Sequence, residues 1–276
     1  MTQQVRVAVP AGQAELAADV LWQAGAVAIE ERPGALVAAV DAGGDPTPLL
    51  AAVAGRWPAK AVVVDLDGAL DAWRRHARAV TVGRRLLVRP PWVEPPLAGD
   101  GSRRSVDVVI DPGRGFGHGA HPSTRLVLAA LDDLVAGGER VLDIGCGSGV
   151  LAVAALALGA ASAVGVDIDP SAVAATRANA AGNGVADRLA VVADLGVAAG
   201  VHPGGYDLVV ANMLLPQLVA VAPVVSAALA TGGVAVVSGV LVDQRDALLA
   251  AAAAAGLVAS SEQTDDGWSA LTLGAD

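Results

Sequence analysis

Hydrophobic and polar positions change rhythm along this chain, and the changes divide it. Near the start, "QVRVAVP" alternates at period two, the mark of a half-buried strand, and "AGQAELAADVLWQAG" carries apolar residues at helical spacing up to Gly25. "AVAIEE" and "ALVAAVD" read as strands flanking the turn Arg32–Pro33–Gly34. "TPLLAAVAGRW" then reads as a helix and "KAVVVDL" as a last strand. The order β-α-β-β-α-β is the split βαβ pattern of ferredoxin-like domains. Residues 1–68 are therefore expected to form a small α+β domain. No histidine or cysteine occurs in it, so recognition or positioning suits it better than chemistry.

Residues 69–105 read as a connector. "ALDAWRRHAR" could form a short helix and "RRLLVRP" a short strand, whereas "PPWVEPPLAGDG" breaks regular structure. A large domain is expected over 106–276. From Arg140 onward, "RVLDI", "AVGVD", "LAVVA", "YDLVVA" and "VAVVSG" read as strands. They alternate with the helices "VLAVAALAL", "PSAVAATRANAAG" and "PQLVAVAPVVSAAL". Such alternation implies crossover connections and a parallel sheet covered on both faces. After the helix "DQRDALLAAAAAA", the strands "LVASSEQT" and "WSALTL" flank Asp265–Asp266–Gly267, a hairpin signal that closes the sheet with antiparallel pairing.

Composition narrows the setting. Of the 276 residues 54% are hydrophobic but only 3% aromatic, so the core must be built from many small aliphatic side chains. Two uncharged runs, 144–166 and 208–242, have the length of a membrane span. Glycines 145, 147, 149 and 159 break the first; Asn212, Pro216, Pro223 and the pair Gly232–Gly233 read as element boundaries in the second. No membrane is expected. The absence of a basic-then-apolar leader and the single Cys146 fit a cytoplasmic protein. A net charge of −10 disfavours nucleic acid as a direct partner and favours a basic protein substrate. Eight of the 18 basic residues nevertheless cluster between Arg74 and Arg104, either as a solvated surface or as a docking strip.

Candidate chemistry gathers at predicted strand ends. In "VLDIGCGSGVLAVAAL", Gly145, Gly147 and Gly149 let backbone pass close under a ligand, and the following helix N-terminus favours an anionic group. The spacing is G-x-G-x-G, with Val150 where a dinucleotide motif has its last glycine. Asp167 ends the next strand and can accept both ribose hydroxyls; the alternative is that it caps the next helix. Asp194, after the third, can accept from an adenine amino group or serve as an ordinary loop acid. Asp169, before Pro170, reads as a helix cap. Asn212 ends the fourth strand on the same edge, where an amide can accept from an attacking amine; the alternative is a turn-forming asparagine. Cys146 suits the turn by its size and reads as structural. Three glycines and two acids suit a nucleoside with a small anionic tail, which describes S-adenosyl-L-methionine.

"DIGCGSG", "GVDIDP", "NAAGNGV" and "VVANML" resemble the class I methyltransferases. With "DPGRGFGHGAHPSTR" and "AWRRHARAVTVGRRLLVRPPW", the chain resembles the bacterial ribosomal large-subunit protein L-eleven methyltransferases over essentially its whole length. The resemblance implies a Rossmann-like, mostly parallel seven-stranded sheet ending in an antiparallel hairpin. It also implies methylation of lysine or α-amino groups on that ribosomal protein, gripped by the small domain. Phe116, Gly117, His118 and Thr124 would then lie over the cofactor. Asp143, Gly145, Cys146, Gly147, Gly149, Asp167, Ile168, Asp194 and Asn212 would line it, with Asn212 also catalytic. His118 stands where the family has a threonine, Ser123 replaces a second one, and "NMLL" replaces N-I-L-A. His118 and His121 lack a helix and a third ligand nearby, so no metal is expected. Two alternatives remain: the same chemistry on another protein or a small amine, and a non-catalytic nucleoside-binding scaffold.

Overall fold

Alternation in the first strand does what the sequence pattern requires: Val5, Val7 and Val9 are buried while Arg6 and Ala8 face outward. The structure is a computed structural model and describes residues 2–10, 12–26, 28–40, 44–64, 77–96, 106–111, 119–196 and 201–275. Two compact units divide the chain, residues 1–76 and 77–276.

In the smaller unit β1 (Thr2–Ala8), α1 (Ala14–Gln23), β2 (Ala28–Arg32), β3 (Ala35–Ala39), α2 (Thr47–Val53) and β4 (Ala59–Val64) follow in order. The sheet runs β2-β3-β1-β4 with every pair antiparallel, so β3 lies between β1 and β2. Val5, Val7, Leu21, Leu36, Leu49 and Val53 form its core beside Trp57, whose indole N–H donates to Gln13 Oε1 at 2.8 Å.

The larger unit opens with β5 (Val80–Val82), β6 (Leu86–Arg89) and β7 (Val106–Val109), a three-stranded sheet in which β5 is antiparallel and β7 parallel to β6. β6 falls on "RRLLVRP", the short strand expected within the connector stretch. Asp132, almost fully buried, pins the β5–β6 turn by accepting from the Arg84 and Arg85 backbone N–H groups and from Arg85 Nε. Arg89 pairs with Asp107 across β6 and β7. Arg84 also pairs with Asp133, so Arg84, Arg85 and Arg89 of the basic cluster are engaged within the fold.

Then come α3 (Pro122–Leu134), β8 (Arg140–Ile144), α4 (Val150–Leu158), β9 (Ser162–Val166), α5 (Pro170–Gly182), β10 (Leu189–Val192), β11 (Tyr206–Asn212), α6 (Leu215–Ala228), β12 (Leu229–Leu241), α7 (Arg245–Ala254), β13 (Leu257–Asp265) and β14 (Trp268–Ala275). Their sheet runs β10-β9-β8-β11-β12-β14-β13, parallel from β10 to β12 and antiparallel on either side of β14. Neighbouring residues feed opposite cores. Val141, Leu208, Val210 and Val236 pack on one face with α3 and α4, and Leu142, Ile144, Val209, Ala211 and Val237 pack on the other with α6 and α7. Burial on both faces explains why these strands read as unbroken apolar runs. Among the described residues, no helix is long and apolar enough to cross a membrane.

Gly232–Gly233 is a correction to the sequence reading. Instead of ending an element, it lies inside β12, where the register with β11 shifts and Gly232 takes φ +77°. A residue without a side chain absorbs that irregularity and the strand continues.

Candidate active site

Strand order reverses between β8 and β11, and crevices for ligands form at the carboxyl ends of such strands. The chain leaving β8 turns through Gly145, Gly147 and Gly149 with φ of +73°, +56° and +79°, a region that side chains rarely adopt. Gly145 and Cys146 donate their N–H groups to Val166 O, which ties the turn to the end of β9. A Cβ on Gly145 would run into the Met213 methyl, and one on Gly149 would lie 2.7 Å from Thr176 Cγ2. The turn is therefore packed from both sides and leads into α4, with Gly149 as its N-cap.

Beyond β9, Asp167 accepts the Gly147 N–H on Oδ2 (2.9 Å) and the Asp169 N–H on Oδ1 (3.0 Å). Each oxygen keeps a lone pair, and the side chain is only partly buried, so a diol can still bind it. Asp169 caps α5 through the Ser171 N–H at 2.8 Å, as the Asp-Pro pair predicts. Ile168 is 87% exposed beside Asp167. Asp194, also exposed, accepts the Gly196 N–H at 2.6 Å. These tips supply a bare backbone turn, a half-open carboxylate and an apolar surface, which fits a nucleoside with an anionic tail.

Across the switch point, Asn212 closes β11. Its Nδ2 donates to Thr124 Oγ1 at 3.1 Å, leaving the amide oxygen available on the other side of the group. Thr124 is buried in the first turn of α3. That turn is held by the closing hairpin. Arg125 pairs with Asp265 at the end of β13, and the His121 ring meets Trp268 of β14 edge-on, with centroids 4.7 Å apart. Phe116, Gly117 and His118 lie outside the described residues.

Residues 61–275 match the family model described as ribosomal protein L11 methyltransferase (PrmA). The chain belongs to that family. The ribosomal protein L11 methyltransferase of Thiobacillus denitrificans is 35% identical over 96% of this chain and 96% of its own length. That of Geobacter metallireducens is 41% identical over 72% of this chain, and the match spans 63% of the relative. A solved structure of a ribosomal protein L11 methylase from Lactobacillus delbrueckii subsp. bulgaricus superposes with a TM-score of 0.63 at 27% identity, over 72% of this chain and 99% of that one. As a member of the PrmA family, this chain is an S-adenosylmethionine-dependent methyltransferase of the class I fold.

Three residues placed at the cofactor by resemblance to the PrmA family lie buried in this structure: Thr124, Asp143 and Cys146. Thr124 is turned to Asn212. Asp143 accepts the Ala152 N–H at 3.1 Å on Oδ2, while Oδ1 has no partner among the described residues. Burial pushes the Asp143 carboxyl up to about 7; the Ala152 N–H opposes this and the Asp167 charge adds to it. Burial, helped by the Asp143 charge, likewise pushes the Cys146 thiol up to about 12. A thiol so protonated at neutral pH is no nucleophile, which supports the structural reading of Cys146.

Sequence reasoning missed the groups that hold these tips in place. Thr176 and Asn179 reach from α5 to the glycine turn, and Arg125, Asp265 and Trp268 brace α3. "NAAGN" carried a signal, since two asparagines four apart share one helix face. The Arg125–Asp265 pair, 140 residues apart, left no local trace.

Proposed function

We propose that this chain transfers a methyl group from S-adenosylmethionine to lysine or α-amino groups of ribosomal large-subunit protein L11, in the cytoplasm. The observation that supports it best is Asn212 on β11, across the switch point from the glycine turn, with its Nδ2 held by Thr124. The glycine turn receives the methionine tail, Asp167 the ribose hydroxyls, and Ile168 and Asp194 the adenine. By resemblance to the family, Phe116, Gly117 and His118 would also contact the cofactor.

The cofactor supplies an electrophilic methyl on a positively charged sulfur. What the chain supplies is alignment, worth up to roughly 7–11 kcal/mol for well-oriented reactants. Asn212 Oδ1 accepts an N–H of the incoming amine and turns its lone pair toward the methyl. A lysine of pKa about 10.4 must first lose its proton, and a buried approach beside a positive charge favours that loss. The small domain (1–68) grips the substrate, followed by the connector (69–105) and the catalytic domain (106–276). The acidic chain, net −10, suits a basic ribosomal protein.

The test is mass spectrometry of ribosomal proteins from cells with and without the enzyme, joined to purified wild type and Asn212→Ala. One basic large-subunit protein should gain multiples of a methyl mass only with the wild-type enzyme. Asn212→Ala should bind cofactor normally and transfer about 10²-fold more slowly. Unchanged ribosomal masses, or transfer confined to small amines, would refute the assignment of substrate.

A further inference from the structure

A glycine turn that permits close approach is also free to rotate its peptide planes. Gly147 and Gly149 accept either sign of φ, so the peptides between them have little intrinsic reason to keep one orientation. Orientation matters here, because a carbonyl oxygen swung toward an anionic ligand repels it where an N–H attracts it.

Helix α5 supplies what the turn lacks. Thr176 Oγ1 donates to Gly147 O at 2.9 Å, and Asn179 Nδ2 donates to Ser148 O at 2.8 Å. The two side chains lie three residues apart on one face of α5, and both are buried. They thus take hold of two consecutive carbonyls of the turn. The Cys146 thiol lies 3.4 Å from the same threonine oxygen, and Thr176 Cγ2 fills the space that a side chain at Gly149 would need. Asn179 also exchanges two bonds of 2.9 Å with the backbone of Asp111, just after β7. One turn further along, Asn183 makes the matching pair of bonds to Val109, at 2.8 and 2.6 Å, and its Nδ2 also donates to Asn179 O at 2.7 Å; among the described residues its side chain does not bond the glycine turn.

We propose that Thr176 and Asn179 are positioning residues that set cofactor affinity by holding the Gly147 and Ser148 carbonyls against α5, away from the ligand. The idea rests on the reading of the glycine turn as the cofactor cradle. Because α5 starts directly after Asp167 and Asp169, one helix joins the carboxylate for the ribose to the turn for the anionic tail. Asn183 separates this role from simple support of the fold, since it secures the same strand from the same helix without reaching the turn.

The test uses calorimetric titration of the full chain with S-adenosylmethionine, thermal melts without ligand, and turnover at saturating cofactor. Thr176→Val keeps the shape and removes the hydroxyl; Thr176→Ser restores it. The valine variant should bind about 2–10-fold more weakly, the range expected for one net hydrogen bond, with its rate at saturation unchanged. The serine variant should bind like wild type. Asn183→Ala should lower the melting temperature without weakening binding. If Thr176→Val folds poorly, Thr176→Ala and amide hydrogen exchange at residues 147–149 give the same comparison, faster exchange being expected. Wild-type affinity in the valine and alanine variants, or equal weakening in Asn183→Ala, overturns the proposal. Failure of the wild-type chain to bind the cofactor overturns the cradle reading as well.

Discussion

The two units bury different kinds of residue. Among the described residues of the smaller unit the core is apolar, built from valine, leucine, alanine and Trp57. The buried polar residues among those described, including Thr124, Asp132, Asp143, Ser148, Thr176 and Asn179, fall in the larger one. A buried polar group is costly unless it is hydrogen-bonded. Three of them, Asp132, Thr176 and Asn179, spend their bonds on backbone that no ladder satisfies: the β5–β6 turn, the glycine turn and the end of β7. Interior polarity thus marks where irregular backbone must be held still. No described residue of the smaller unit is both polar and buried. What it offers is surface, including a cavity of about 450 Å³ lined by Val9, Pro10, Glu31, Arg32 and Pro33 beside the β2–β3 turn.

The largest effect expected from this contrast is at Gly147. Gly147→Val forces a β-branched side chain into φ +56°, a backbone conformation such residues rarely adopt. Cofactor binding should be lost to calorimetry, with the smaller unit's own melting unaffected. Unimpaired binding would remove the turn from the site. Next in size is Leu21→Ala. Leu21 is fully buried in the small core, so its truncation should cost about 2–5 kcal/mol in denaturant unfolding. Cofactor affinity should stay at the wild-type value while transfer to the protein substrate falls. A parallel loss of cofactor binding would show that the two units do not divide the work.

How much of this was visible in the chain depends on the range of the interactions. Helices α4 and α5 stand at 150–158 and 170–182, as the apolar spacing, the Asp169–Pro170 start and the glycine stops predict. The three glycines, Asp167 and Asn212 were legible because each sits at the end of a strand, where position and chemistry coincide. β5 and β7, three and four residues long, are too short to show a period. Gly232–Gly233 misled because a bulge and a boundary share one sequence signal. The bracing of Asn212 by Thr124, 88 residues away, is set by tertiary packing alone.

Asp143 gives the smallest of these effects and the one whose sign is most informative. Its carboxyl is wholly buried, bonded on one oxygen only, and raised from an ordinary 3.8 to about 7, chiefly by desolvation. The folded state therefore favours the neutral acid, whereas the unfolded chain ionises near pH 4. The stabilisation is fully present below about pH 4 and is lost as pH rises through about 7. Urea unfolding of wild type should show stability falling by about 1–3 kcal/mol between pH 5 and pH 8, relative to Asp143→Asn. The amide cannot titrate, so its curve reports every other group. A wild type that gains on the variant as pH rises would mean a charged, well-paired carboxylate under the turn. The larger unit's interior polarity would then be ionic at this position, and the contrast with the apolar small core would rest on charge rather than on hydrogen bonding.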